Sequence, residues 1–200
     1  MERSVSSRRS APSTPGAIPH TVSDHVCIDF VNSRFTDHTG GGRVHDRIGM
    51  DEWRRWYAAR CGVVVERPPS AEIRRRLVEL RDLLRGLLES RKRPDADAVA
   101  ALNLVLAPAP LIWQLSPAAP ATRLALAWRR PDWTAVMAAT VTSYAQLLVS
   151  GGIDRIKVCA NQDCSFMFYD ETRNRSRRWC EASACGNLVR VRRHRAQRRR

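Results

Sequence analysis

Apolar residues recur at spacings of three and four in PPSAEIRRRLVELRDLLRGLLESRKRP, where Ile73, Leu77, Leu80, Leu84 and Leu87 form one stripe. That period puts them on one face of an α-helix turned toward a core. Ser70, after two prolines, supplies an N-cap, and Pro94 supplies a stop. Asp95 or Asp97 opens a second helix through AVAALNLVLA, ended by Pro108 and Pro110. Pro131-Asp132 opens a third, DWTAVMAATVTSYAQLLVSGG, which Gly151 and Gly152 close. MDEWRRWYAARCG predicts a shorter helix with Asp51 as N-cap, Trp53, Trp56 and Tyr57 on one face, and Gly62 at its end. LIWQL and TRLALAW are short apolar runs around a proline-rich turn and read as two strands of a hairpin. DHVCIDFV is too short to decide: Val26, Ile28, Phe30 and Val31 suit either a strand or the start of a buried helix. The glycines of DHTGGGRVHDR mark a loop.

The pattern predicts a mostly helical α+β domain over residues 21–150, with a few short strands. It is preceded by a Ser-, Pro- and Arg-rich arm (1–20) that reads as disordered, because nothing in it is periodic. GGGR lacks the Lys-Ser/Thr of a phosphate loop, and no nucleophile–base pair is identifiable, so the sequence argues against an enzyme. No apolar run is long enough to span a bilayer or to act as a secretory signal. A cytoplasmic protein, associated with the nucleoid, is the expectation.

Charge changes the picture at the other end. The 200 residues carry a net +14, and residues 173–200 hold eleven arginines against Glu181 alone, a local +10. A basic end on a nearly balanced body favours a polyanionic partner.

In the same region the cysteines follow C-x4-C-x15-C-x4-C: Cys159, Cys164, Cys180 and Cys185. Ile153, Ile156 and Val158 suit a strand leading into the first pair, and Phe166 and Phe168 alternate on a returning strand. The first pair then lies on a hairpin tip. Cys185-Gly186-Asn187 suits the start of a helix running through NLVRVRRHRAQ, which sets the second pair beside it. Where disulfides are disfavoured, two such pairs read as metal ligands. Zinc accepts four thiolates tetrahedrally, and its binding energy folds a segment too small to build a core. Iron or a redox site is the alternative. Cys27 and Cys61 have no such partners and read as small buried hydrophobes. Leu188 and Val191 are expected to bury against Phe166 and Phe168, leaving basic flanks on the helix.

C-x4-C, then SRRWC-x4-CGN and a basic helix, resembles the CGNR zinc finger, and CIDFVN (Cys27–Asn32) resembles the CLDFVNT signature of the ABATE domain that precedes it in bacterial proteins. The family is described as stress-induced transcription regulators. The resemblance implies an ABATE-like domain followed over 153–197 by a small treble-clef-like finger, with residues 198–200 as a basic tail. It implies one Zn2+ held by Cys159, Cys164, Cys180 and Cys185. Asp170, Asn174, Ser176, Arg177, Arg178 and Trp179 match the family's D-x-S-x-N-x-S-R-R-W segment, with Thr172 in place of its first serine. The signature ends in arginine where this chain has Leu188, and Arg190 is the residue placed to substitute. Trp179 is expected to shield the metal, and one of Arg177 and Arg178 to meet Asp170.

The expected function is zinc-dependent DNA binding by the finger, with the N-terminal domain sensing a signal or mediating assembly. Arg173, Arg175, Arg177, Arg178, Arg190, Arg192, Arg193 and Arg195 are the candidate nucleic-acid contacts. An RNA- or ribosome-associated module is the alternative, with Trp179 or the phenylalanines stacking on bases. A homodimer and a small-molecule effector are both compatible. For the effector, Asp29 and Asn32 beside the Gly-rich loop are weak ligand candidates. Their simpler reading is that they cap local backbone, with His25, His38 and His45 facing solvent.

Overall fold

The leucine stripe builds the central helix of a computed structural model that describes residues 22–36, 42–118 and 121–198. This helix, α3 (Ala71–Ser90), starts where expected, with the Ser70 hydroxyl accepting from the Ile73 amide at 3.2 Å. Leu77, Leu80 and Leu84 are buried, and the stripe continues through Leu88, while Ile73 and Leu87 sit at its margin. The helix ends before Pro94: Arg91 turns the chain out in the left-handed region at φ 52°. The expected arm (1–20), His38, Arg199 and Arg200 lie outside the described residues.

DHVCIDFV resolves as a helix, α1 (Val26–Val31), with Cys27 to Val31 all buried. It lies between α3 and the long helix α5 (Trp133–Val149). An isolated strand there would leave two rows of backbone groups unpaired in the core, whereas the short helix pairs some of its own and its first turn finds the Tyr57 and Ser143 hydroxyls. α5 is capped as expected by Asp132, whose carboxylate accepts from the Thr134 amide at 2.8 Å. α2 (Asp51–Arg60) differs from expectation at its start: Met50 holds the cap position, and Asp51, in the first turn, pairs with Arg54 instead. Tyr57 of α2 ties three helices together. Its ring stacks on Phe30 at 5.2 Å, and its hydroxyl donates to the Val26 carbonyl at 3.1 Å and bonds Thr140 Oγ1 at 2.8 Å.

α4 (Ala96–Leu106), capped by Asp95, packs on α5. The expected hairpin forms from β3 (Leu111–Ala118) and β4 (Ala121–Trp128), paired from Leu111↔Trp128 to Ala118↔Ala121. β1 (Arg34–Thr36) and β2 (Val44–Asp46) pair on either side of the Gly-rich loop. Beneath them the buried Arg81 of α3 pairs with Asp46 at 2.8 Å and Asp82 at 3.3 Å.

Gly151, at φ 71°, turns the chain out of α5. At Gly152 a Cβ would lie 2.9 Å from Leu147 Cδ2, so the chain leaves the helix by close backbone contact. β5 (Ile156–Val158) and β6 (Met167–Tyr169) then pair antiparallel. Their inner side is not a separate core: Ile153, Ile156 and Met167 belong to the same buried cluster as Phe30, Leu84 and Tyr144. The last helix, α6 (Asn187–Gln197), follows a single π-type turn over Ala182–Gly186. Among the described residues no helix is long and apolar enough to cross a membrane.

Candidate metal centre and nucleic-acid interface

The hairpin β5–β6 places the first cysteine pair. Its strands hold Cys159 opposite Phe166, whose carbonyl accepts from the Cys159 amide at 2.9 Å, and the Cys164 amide closes the ANQD turn onto the Asn161 carbonyl at 2.9 Å. The second pair arrives from the far side, Cys180 at the end of the SRRW segment and Cys185 in the turn that opens α6. All four are buried, and their Sγ atoms lie within 4.8 Å of one another. Cys164 and Cys180 are 3.8 Å apart, Cys180 and Cys185 3.6 Å. A tetrahedron with Zn–S bonds of about 2.3 Å has edges of about 3.8 Å, so the thiols already stand at the vertices of a zinc site.

Electrostatics argue the same way. The Cys159 thiol is pushed well down by hydrogen bonds from Cys164 and Cys180, and those same contacts with desolvation push Cys180 up. Four thiols this close and this buried cannot all ionise without a cation among them. Backbone N–H groups of Asn161 and Phe166 point at the Cys159 and Cys164 sulfurs, and Asn161 Nδ2 donates to Cys185 Sγ at 3.6 Å. Asn161 is itself buried. It orients a ligand, a role that sequence reasoning missed; its position inside the first C-x4-C loop was the signal.

A second network braces the SRRW segment. Asp170 is fully buried and accepts from Lys157 Nζ at 2.7 Å, the Thr172 hydroxyl at 2.6 Å, the Thr172 amide at 2.9 Å and the Arg177 amide at 3.0 Å. Burial alone would raise its carboxyl, but Lys157 and the Thr172 donors hold it down at about 2. The expected partner of Asp170 was an arginine side chain; Lys157, two positions off in register on the neighbouring strand, takes that place. Arg177 turns inward: its guanidinium lies 4.5 Å from the Phe168 ring centre and donates to the carbonyls of Trp179 (3.0 Å) and Cys180. Trp179 packs against the cysteine cluster, 3.4 Å from where a Cβ on Gly186 would stand, which is the shielding position expected for it.

The eight candidate arginines therefore divide. Arg177 is absorbed by the finger. Arg190 folds back along α6 onto the carbonyls of Gly186 (3.2 Å) and Ala182 (3.4 Å), and Arg192 pairs with Asp163 of the ANQD turn. Arg173, Arg175, Arg193 and Arg195 are exposed, and none of their side chains has a hydrogen bond or ion pair among the described residues. Arg178 is exposed with its guanidinium 5.4 Å from the Trp179 ring centre.

The apolar stripe expected on α6 does not form. No residue of this helix is buried: Val191 is exposed, Leu188 is only half-buried, and Phe166 turns instead to Phe35, with ring centres 5.0 Å apart. The helix is held by its first turn and by the exposed Arg192–Asp163 pair, and projects from the metal site.

Asp29 and Asn32 are buried and engaged. Asp29 accepts from the Ser23 amide at 2.8 Å and pairs with Arg60 at 3.1 Å; burial still raises its carboxyl to about 6. Asn32 does not cap local backbone. It donates to the Met167 carbonyl and accepts from the Met167 amide, both at 2.8 Å, across 135 positions of sequence. The cavity beside them is about 40 Å³, room for a water or two. His25 and His45 do not stand free in solvent: they lie against Tyr169 and Phe35, with ring centres 4.7 and 5.1 Å apart.

Residues 24–151 match ABATE, a family described as "putative stress-induced transcription regulator", and residues 155–198 match the CGNR zinc finger. No curated protein matches the chain. The first match spans more than half of the sequence, and the second covers all four clustered cysteines, which hold one zinc ion. The chain belongs to the ABATE family and carries a CGNR zinc finger at its C-terminal end.

Proposed function

We propose that the protein is a DNA-binding regulator that presents a zinc-built finger to duplex DNA. The observation that carries this is the division of the arginines. Three are consumed in holding the finger together; of the other five, Arg193 and Arg195 stand exposed on a helix that buries nothing of its own, and Arg173, Arg175 and Arg178 are exposed on the segment before Cys180. A helix anchored at one end and exposed along its length can lie in a groove or along a phosphate backbone. The unspent charge supplies the counterion-release part of the affinity. Arg193 and Arg195, on different faces of α6, are the base- or phosphate-reaching candidates, and Arg173, Arg175 and Arg178 approach the flanking backbone. Leu188 leaves the contact of the signature arginine unmade, and Arg190 does not replace it, because its guanidinium is turned onto Gly186.

The RNA reading is weaker on one specific point. Base stacking needs exposed rings, whereas Phe168 is buried, Phe166 is packed on Phe35 and Trp179 on the thiolate cluster. The reading is of a binding protein, not an enzyme. Asp29 and Asn32 are committed to structure, and burial pushes the Cys27 and Cys61 thiols up to about 12 and about 11, away from nucleophilic use. Competition between duplex DNA and single- or double-stranded RNA of equal length, for zinc-loaded protein, tests the proposal. Preference for duplex DNA, abolished by chelation, supports it. Preference for RNA overturns it.

A further inference from the structure

One face of the β3–β4 ribbon is apolar along three of its four rungs. Cross-strand pairs share a face, so Leu111↔Trp128, Trp113↔Leu126 and Leu115↔Leu124 stack as three consecutive apolar rungs. Gln114, Ser116 and Arg123 lie on the opposite face, together with Ile112, Ala125 and Ala127. A face of consecutive large apolar rungs belongs to a ribbon with that side covered. Yet here the apolar side is open: Trp113 is 69% exposed, Leu115 67%, Leu124 59%, Leu126 54% and Leu111 46%. Trp128 alone reaches the core of the body. A lone two-stranded hairpin is marginal in water, and its open apolar face adds to that cost.

We propose that this face is the seam of a two-fold homodimer, the ribbon of one chain stacking on the same ribbon of a second copy. Three features select that occupant. The face carries no charge, so neither a nucleic acid nor a charged peptide finds complementary groups on it. It is built of matched rungs, and a two-fold axis requires only one such self-complementary patch. Its extent is also sufficient. With roughly 150–250 Å² for a large aromatic side chain and less for each leucine, the exposed part is on the order of 600 Å². Two copies then remove on the order of 1,200 Å² from water, at the lower edge of specific interfaces. The arm over residues 1–21 is a poor cover, since Val5 and Ile18 are its only branched aliphatic residues. Pairing sets two fingers on one assembly.

Sedimentation equilibrium on the zinc-loaded full chain, from about 1 to about 100 µM, tests this. The wild type should show twice the chain mass. Trp113→Glu with Leu126→Glu, on one rung of the face, should weaken association at least about 100-fold while zinc content and helical circular dichroism stay unchanged. Arg123→Glu, on the opposite face, should leave the dimer intact. A wild type of single-chain mass throughout overturns the proposal. So does a double variant that stays dimeric, or a dimer that forms only when residues 1–20 are removed, which would make the arm the cover. The readout is mass, so the result is independent of whether the finger binds DNA.

Discussion

Asn32 holds Met167 by both backbone groups, donating to its carbonyl and accepting from its amide at 2.8 Å each. One buried amide side chain thereby locks the last residue of the CIDFVN segment to the first residue of β6, whose other end leads toward the SRRW brace. The two matched families meet at this point, and Ile156 and Met167 fill the same core as Phe30. Asn32→Ala leaves both Met167 groups buried without partners and should destabilise the protein by about 2–4 kcal/mol. Urea denaturation measures the loss. A change below about 0.5 kcal/mol would show that the clamp is not made in solution.

The shared core also decides how far zinc loss propagates. Cys180→Ser should lower zinc from one ion per chain to none, read by elemental analysis. Because β5 and β6 pack on α1 and α3, the melting temperature of the helical body should fall as well, by about 2–4 °C for each kcal/mol transmitted. A body that melts unchanged after zinc removal would mean that β5–β6 keep their place without the metal.

Asp29 gives a pH dependence of defined sign. Its carboxyl, ordinarily at 3.8, is raised to about 6 in the fold, first by burial. The folded state therefore favours the protonated form. That contribution is fully present below about pH 4 and is lost as pH rises through 6. The stability of the wild type minus that of Asp29→Asn should fall between about pH 4 and pH 6, by an amount on the order of 2 kcal/mol. Taking the difference cancels His25 and the zinc ligands, which both proteins share. A flat difference, or one that rises with pH, contradicts the assignment.

The division of the arginines predicts two phenotypes. Arg193→Ala and Arg195→Ala should leave stability within about 0.5 kcal/mol and reduce the slope of log affinity against log salt by about 0.9 for each phosphate no longer neutralised. Arg177→Ala should instead destabilise the finger, because the carbonyls of Trp179 and Cys180 lose their donor and Phe168 its cationic cover. Anisotropy titrations across a salt series, alongside thermal melts, separate the two.

The site's ligands could be read from the sequence because spacing alone constrains them: two equal C-x4-C pairs admit few arrangements other than one metal. The α3 stripe and the β3–β4 hairpin were legible for a similar reason, one as a local period and the other as two short apolar runs around a proline-rich turn. What the sequence hid is non-local. CIDFV could be settled as a helix only by what surrounds it, and nothing near Asn32 points to Met167. Charge counting likewise could not tell Arg177 from Arg193, since one faces carbonyls brought together by the metal and the other faces solvent. The burial expected for Leu188 and Val191 failed because Phe168 packs into the cysteine cluster with Arg177 over its ring and Phe166 packs on Phe35, leaving α6 no ring to cover.

Selection from a randomised duplex library by zinc-loaded protein, at about 150 mM salt to screen weak charge contacts, addresses the central claim most directly. An enriched sequence motif is expected, one that Arg193→Ala or Arg195→Ala alters and chelation abolishes. Retention of duplexes without enrichment, or enrichment that survives zinc removal, would contradict a finger that reads DNA.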